Sequence, residues 1–186
     1  MSAEPQKYFF SVDDYYRMAK AGLFSEGPHV ELIEGEVIEM SPIGSRHAGC
    51  VDYLNSRLAL KVGRRAIVRV QGPIRIDEYS EPQPDIALLK PRRDSYRRSH
   101  PAPSEVLLVI EVADTSANYD RNVKLPLYAR SGIPEAWLIV LAKDLIEFHS
   151  EPKNGKYQKV QRLKRGKTLT STIIPDLMLD VDDILG

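Results

Sequence analysis

Three residues in the middle of the chain carry the types that bind a hard cation or form a buried ion pair. They are Asp85, directly after Pro84; Glu111, inside the apolar run from Val106 to Val112; and Lys124, four positions beyond Asp120. Glu111 sits where burial is otherwise expected, and an unpaired buried carboxylate costs several kcal/mol. A divalent cation is one natural partner, since Mg²⁺ takes one or two carboxylates together with waters and phosphate oxygens. Lys124 or an arginine, in a core ion pair, is the other. Asp85 is equally readable as a turn or capping aspartate. Two acids and a lysine do not choose between these readings by themselves.

The surrounding pattern predicts an α+β order. Ser11 followed by Val-Asp-Asp reads as a helix N-cap with acids in the first turn. Tyr15, Met18, Ala19 and Leu23 continue at helical spacing, with Gly22 and Gly27 marking the exit. Residues 30–40 read as two short strands turning at Glu34-Gly35. His47 opens a helix whose buried face is Val51, Leu54, Leu58 and Val62. Residues 66–76 read as a strand interrupted at Gly72-Pro73. Asp85 to Leu89, Glu105 to Val112 and Glu135 to Leu141 read as further strands, the second nearly all apolar and hence central. Between the last two lies a helix from Tyr119 to Arg130, which Pro126 must kink or restart. Glu147 to Ser150 and Lys156 to Leu163 make a terminal hairpin around Asn154-Gly155. Val181, Ile184 and Leu185 predict a short closing helix. With no repeat and no long linker, residues 1–186 read as one domain.

Composition narrows the field. The 186 residues are 42% hydrophobic and 28% charged, which excludes disordered and collagen-like chains. No apolar run approaches the roughly 18–20 residues of a membrane span. The single Cys50 fits a reducing cytoplasm. Lys+Arg and Asp+Glu both number 26, so a nucleic-acid partner must be held by a local patch. Residues 90–100 supply one candidate, with Lys90, Arg92, Arg93, Arg97 and Arg98 against Asp94. A solvated loop is the plain alternative for such a run.

From Glu31 onward the chain resembles the Uma2 family of restriction-endonuclease-like proteins, in the PD-(D/E)XK nuclease superfamily. The matching pieces are ELIEGE at 31–36, MSP at 40–42 with His47 following, PDIA at 84–87 and VIEVADTS at 109–116. DRNVKLPLYARSGIPEAW at 120–137 and LTSTIIPDLMLDV at 169–181 continue the likeness. The resemblance implies a restriction-endonuclease-like fold: a central mixed sheet flanked by helices, with a C-terminal β-hairpin. It makes Asp85 and Glu111 the acids that hold Mg²⁺ (or Mn²⁺), and it puts Glu31, His47 and Asp120 at the border of the site. Ala113 stands where the superfamily has its lysine, so Lys124 is the implied substitute from the next helix. Tyr128, Glu135 and Trp137 are assigned to packing.

The implied activity is metal-dependent hydrolysis of DNA phosphodiesters by a cytoplasmic homodimer without membrane association. A non-catalytic DNA-binding or accessory protein on the same scaffold remains a competing reading. So does a structural domain whose acids and Lys124 merely form buried ion pairs.

Overall fold

In the computed structural model, residues 6–24 and 29–186 are described; the expected exit signal at Gly27 lies outside them. Helix α1 (Val12–Lys20) starts on a complete capping box, in which Ser11 and Asp14 each bond the other's backbone N–H. Strands β1 (Val30–Ile33) and β2 (Glu36–Glu39) form the expected hairpin. Its turn requires glycine: Gly35 has φ +79°, and a Cβ there would lie 2.6 Å from Phe9 Cβ.

Helix α2 (Ser45–Val62) begins two positions before His47, on Gly44. It buries the predicted face of Val51, Leu54, Leu58 and Val62. Strand β3 (Ile67–Val70) is shorter than residues 66–76. It stops at Gln71, whose φ of 45° leaves the extended region before Gly72-Pro73 is reached.

Strands β4 (Ile86–Leu89), β5 (Val106–Ala113), β6 (Glu135–Val140), β7 (Leu145–Lys153) and β8 (Lys156–Leu163) complete a sheet ordered β3-β4-β5-β6-β7-β8. Only β5 and β6 run parallel; the other neighbours are antiparallel, so the sheet is mixed. Asn154 and Gly155 both take positive φ, which closes the β7–β8 hairpin in the twist-compatible sense. A second small pair, β9 (Thr168–Thr170) with β10 (Met178–Asp180), precedes helix α5 (Val181–Leu185).

The parallel β5–β6 connection is helical: α3 (Ala117–Tyr119), a wide π turn (Asp120–Lys124), then α4 (Leu125–Arg130). Pro126 lacks an N–H and its ring would crowd the carbonyl four residues back. One π turn absorbs that conflict without breaking the helix.

One face of the sheet packs Ile110, Trp137 and Ile139 against Leu54 and Leu58 of α2 and against the C-terminal Leu179 and Ile184. The other packs Val109 and Leu138 against Leu125, Tyr128 and Ile133. Among the described residues, no helix is long and apolar enough to cross a membrane.

Candidate active site

The β4–β5 register pairs Ile86 with Ile110, so the next step along both strands brings Asp85 beside Glu111. Asp85 is locked there: its Oδ2 accepts the Val112 N–H at 2.8 Å. Its Oδ1 lies 2.8 Å from His47 Nε2, which α2 delivers from its first turn. Side chains alternate along β5, so Glu111 shares the face of Val109 and Ala113, under the helical β5–β6 connection.

The π turn sends Lys124 onto that face. Its Nζ lies 2.9 Å from Glu111 Oε1 and 3.3 Å from Glu31 Oε2. Glu31 comes from β1 and is itself fixed by the Gln83 N–H at 3.0 Å. Asp120, one turn before Lys124, accepts the Ser116 hydroxyl at 2.6 Å. The β1–β2 hairpin therefore closes a cavity of about 320 Å³ whose floor includes Glu31, His47, Asp85, Glu111, Asp120 and Lys124.

Charge in this floor is out of balance. Glu31, Glu111, Asp120 and Lys124 are all nearly fully buried, and Asp85 is 8% exposed. Burial, reinforced by Asp120, Asp85 and Glu31 and only partly relieved by Lys124, pushes the Glu111 carboxyl up to about 8. Burial likewise raises Asp120 against the pull of Lys124 and Ser116. Burial alone would lower the Lys124 ammonium, but Glu111, Glu31 and Asp120 outweigh it and hold Lys124 charged. His47 is raised by its bond to Asp85 in spite of burial. Lys124 and His47 thus face Glu31, Asp85, Glu111 and Asp120, an excess of acid that favours further positive charge.

The donor chemistry suits a hard cation. Among the described residues no three His, Cys, Asp or Glu form a ready-made ligand cluster. Mg²⁺ needs only one or two carboxylates, with waters completing its shell, and Asp85 and Glu111 are such a pair at the cavity wall. Tyr119 also lines this cavity, and its hydroxyl, shielded from bulk solvent, has no hydrogen-bond partner among the described residues. A buried orphan hydroxyl is satisfied by a bound water or ligand oxygen.

All six residues expected at or around the site converge here. The arginines of residues 90–100 lie elsewhere. Arg92 is engaged by Asp94 and Glu105 and stacks 3.9 Å over the Tyr96 ring; Lys90, Arg93, Arg97 and Arg98 are exposed. Tyr128, expected to serve packing, does more: its hydroxyl donates to Glu111 Oε1 at 2.6 Å. Its position four residues after Lys124 was the signal, since such neighbours share a helix face. Glu135 is structural, accepting from Trp137 Nε1 and from both the N–H and hydroxyl of Thr172.

At pH 9, where the Glu111 carboxyl is ionised, Tyr128→Phe removes one donor from a buried carboxylate, worth about 2 kcal/mol for a charged partner. For a chain of this size that predicts a melting temperature lower by about 4–8 °C. An unchanged melting temperature would show that the hydroxyl does not hold Glu111.

A family model described as "Uma2: Putative restriction endonuclease" matches residues 12–182. Among solved structures, a "putative nuclease belonging to DUF820" from Anabaena variabilis ATCC 29413 aligns with a TM-score of 0.72. That match is 15% identical and covers 95% of this chain and 97% of the other, a likeness of fold. No curated protein matches.

Proposed function

The chain belongs to the Uma2 family, and from that premise we propose that it is a divalent-metal-dependent endonuclease hydrolysing DNA phosphodiesters. One observation carries the reading: a cavity floor on which Glu31, Asp85, Glu111 and Asp120 gather around one lysine, with burial first and the neighbouring acids next pushing Glu111 up to about 8. Asp85 and Glu111 would hold Mg²⁺ or Mn²⁺, which when bound acidifies a water and polarises a phosphate oxygen.

The remaining residues have separable tasks. Lys124, kept charged by its acidic neighbours, supplies the cation that Ala113 cannot, and stabilises negative charge developing on the phosphate. Glu31 and Tyr128 fix the directions of Lys124 and Glu111. His47 keeps Asp85 Oδ1 turned toward the cavity. Two copies of the chain acting together would serve the two strands of a duplex.

DNA binding without cleavage is the second reading. It is favoured by the double engagement of Lys124 with Glu111 and Glu31, which leaves that ammonium well paired without any substrate.

Supercoiled plasmid incubated with Mg²⁺ or Mn²⁺ separates the two. Nicking that requires metal and falls about 10³-fold in folded Asp85→Asn supports hydrolysis, since removing a group that serves transition-state charge has effects of that size. A folded wild type that binds plasmid salt-sensitively yet leaves it intact with both metals supports the second reading.

A further inference from the structure

Residues 90–100 form a built loop, and it borders a second cavity. Ser95 and Tyr96 both take positive φ, 49° and 61°. That turn buries Tyr96, whose hydroxyl donates to the Lys90 carbonyl at 2.8 Å, and throws Arg97 and Arg98 outward. Arg92 ties the loop together through Asp94, Glu105 and Ser99. The arginines that follow are thus presented by a fixed backbone, which lowers the ordering cost of engaging a ligand.

The cavity beside them measures about 400 Å³, and its wall includes Arg75, Arg97, Arg98 and His100. His100 stacks on Tyr16 of α1, with ring centres 6.5 Å apart and planes within 14°. The one acid of the wall, Glu81, is 2% exposed and already answered. It accepts the Tyr16 hydroxyl at 2.5 Å and lies 3.7 Å from Arg75 Nη1. Among the described residues, Arg97 and Arg98 have no ion pair. Planar guanidinium donors without partners select phosphate or carboxylate oxygens.

The two cavities are joined by one segment. Glu81 lines the basic cavity; Gln83 and Asp85 line the acidic one. Four residues of chain reach at most about 14 Å, and B-DNA advances 3.4 Å per nucleotide along one strand, so that segment spans at most about four nucleotides.

We propose that Arg75, Arg97, Arg98 and His100 form a subsite for a backbone phosphate of the nucleic-acid substrate, flanking the phosphate at Asp85 and Glu111. The subsite rests on the nuclease reading of the acidic cavity. It fixes the position of the strand and carries no sequence preference, because phosphate contacts are common to every sequence.

The test is the affinity of wild type and Arg97→Ala/Arg98→Ala for a labelled 20-base-pair duplex in EDTA, measured against salt, with plasmid cleavage in Mg²⁺ alongside. Both side chains are exposed, so matched melting curves are expected. The double variant should bind about tenfold more weakly on every sequence, and its log–log salt slope should fall by about 1.8. Cleavage at subsaturating enzyme should fall in step with affinity. Lys159→Ala, whose partner Glu151 lies on the distant β7–β8 hairpin, should leave affinity and slope unchanged. A wild type that cuts plasmid while the double variant keeps full affinity and slope overturns the subsite alone. A folded wild type that neither binds nor cuts DNA overturns the nuclease reading and the subsite with it.

Discussion

Lys124→Met is expected to destabilise the metal-free protein by about 3–5 kcal/mol at pH 8, the scale of removing one partner from a buried ion pair. The residue is 4% exposed and answers Glu111 at 2.9 Å and Glu31 at 3.3 Å. Methionine fills much of the same volume, so the loss is electrostatic more than a cavity effect. Its pH dependence is the signature. Without Lys124 the buried acids lose their counter-ion, and they escape the penalty by taking protons as pH falls. The deficit relative to wild type should therefore shrink toward pH 5. Urea denaturation in EDTA at pH 5 and pH 8 measures both values. Addition of Mg²⁺ should recover part of the loss, because a cation bound only by the folded state stabilises by mass action. A deficit below about 1 kcal/mol at both pH values would show that Lys124 is not the counter-ion, since exposed pairs contribute on that scale. Plasmid cleavage should be lost in the same variant.

How the sequence announces this site follows from the range of each interaction. The β5 run with one acid in it, Val106 to Val112, announces a central strand and a buried charge, because both are local consequences of burial. The spacing of Asp120 and Lys124 likewise places them on one face. What brings Glu31 to Lys124 is tertiary: the β1–β2 hairpin is tied across the chain by the Glu81 N–H to the Leu32 carbonyl and by Gln83 to Glu31. No periodicity within residues 30–40 encodes that contact. The family motif ELIEGE flags Glu31 as a border residue, and the structure makes it part of the buried charge cluster. Pro126 announces a disruption, but its resolution into a π turn depends on what the helix packs against. Strand β3 ends early because Gln71 takes a φ of 45°, although its N–H still donates to the Asp85 carbonyl in register with the β3–β4 ladder. A left-handed glutamine of that kind is invisible in the local pattern. The basic run of residues 90–100 divides by tertiary contacts. Arg92 finds acids that only the folded loop gathers, while Arg97 and Arg98 find none among the described residues.

Glu111→Gln should raise stability at alkaline pH while removing activity, a combination that separates a metal site from a structural ion pair. In the folded protein the Glu111 carboxyl is pushed up to about 8 from an ordinary value of 4.5. Between those limits the folded state keeps a proton that the unfolded chain has released, so stability falls as pH rises through that window. Glutamine has no proton to lose and still accepts from Tyr128, so the variant should lack this decline. Lys124 keeps Glu31 at 3.3 Å as its partner. Each pH unit across that window is worth about 1.36 kcal/mol before the surroundings relax. In EDTA at pH 8.5 the variant is therefore expected to exceed wild type by about 2–4 kcal/mol. At pH 5 the two should be nearly equal. Mg²⁺ should invert the order: at 1,000 times its dissociation constant it adds about 4.1 kcal/mol to a protein that binds it, and the variant lacks one of the two carboxylates. Cleavage should drop about 10³-fold or more. Thermal or urea melts across pH, with and without Mg²⁺, distinguish the cases. A variant less stable than wild type at pH 8.5 in EDTA would mean that Glu111 serves the fold through Lys124, and that these acids are a structural network.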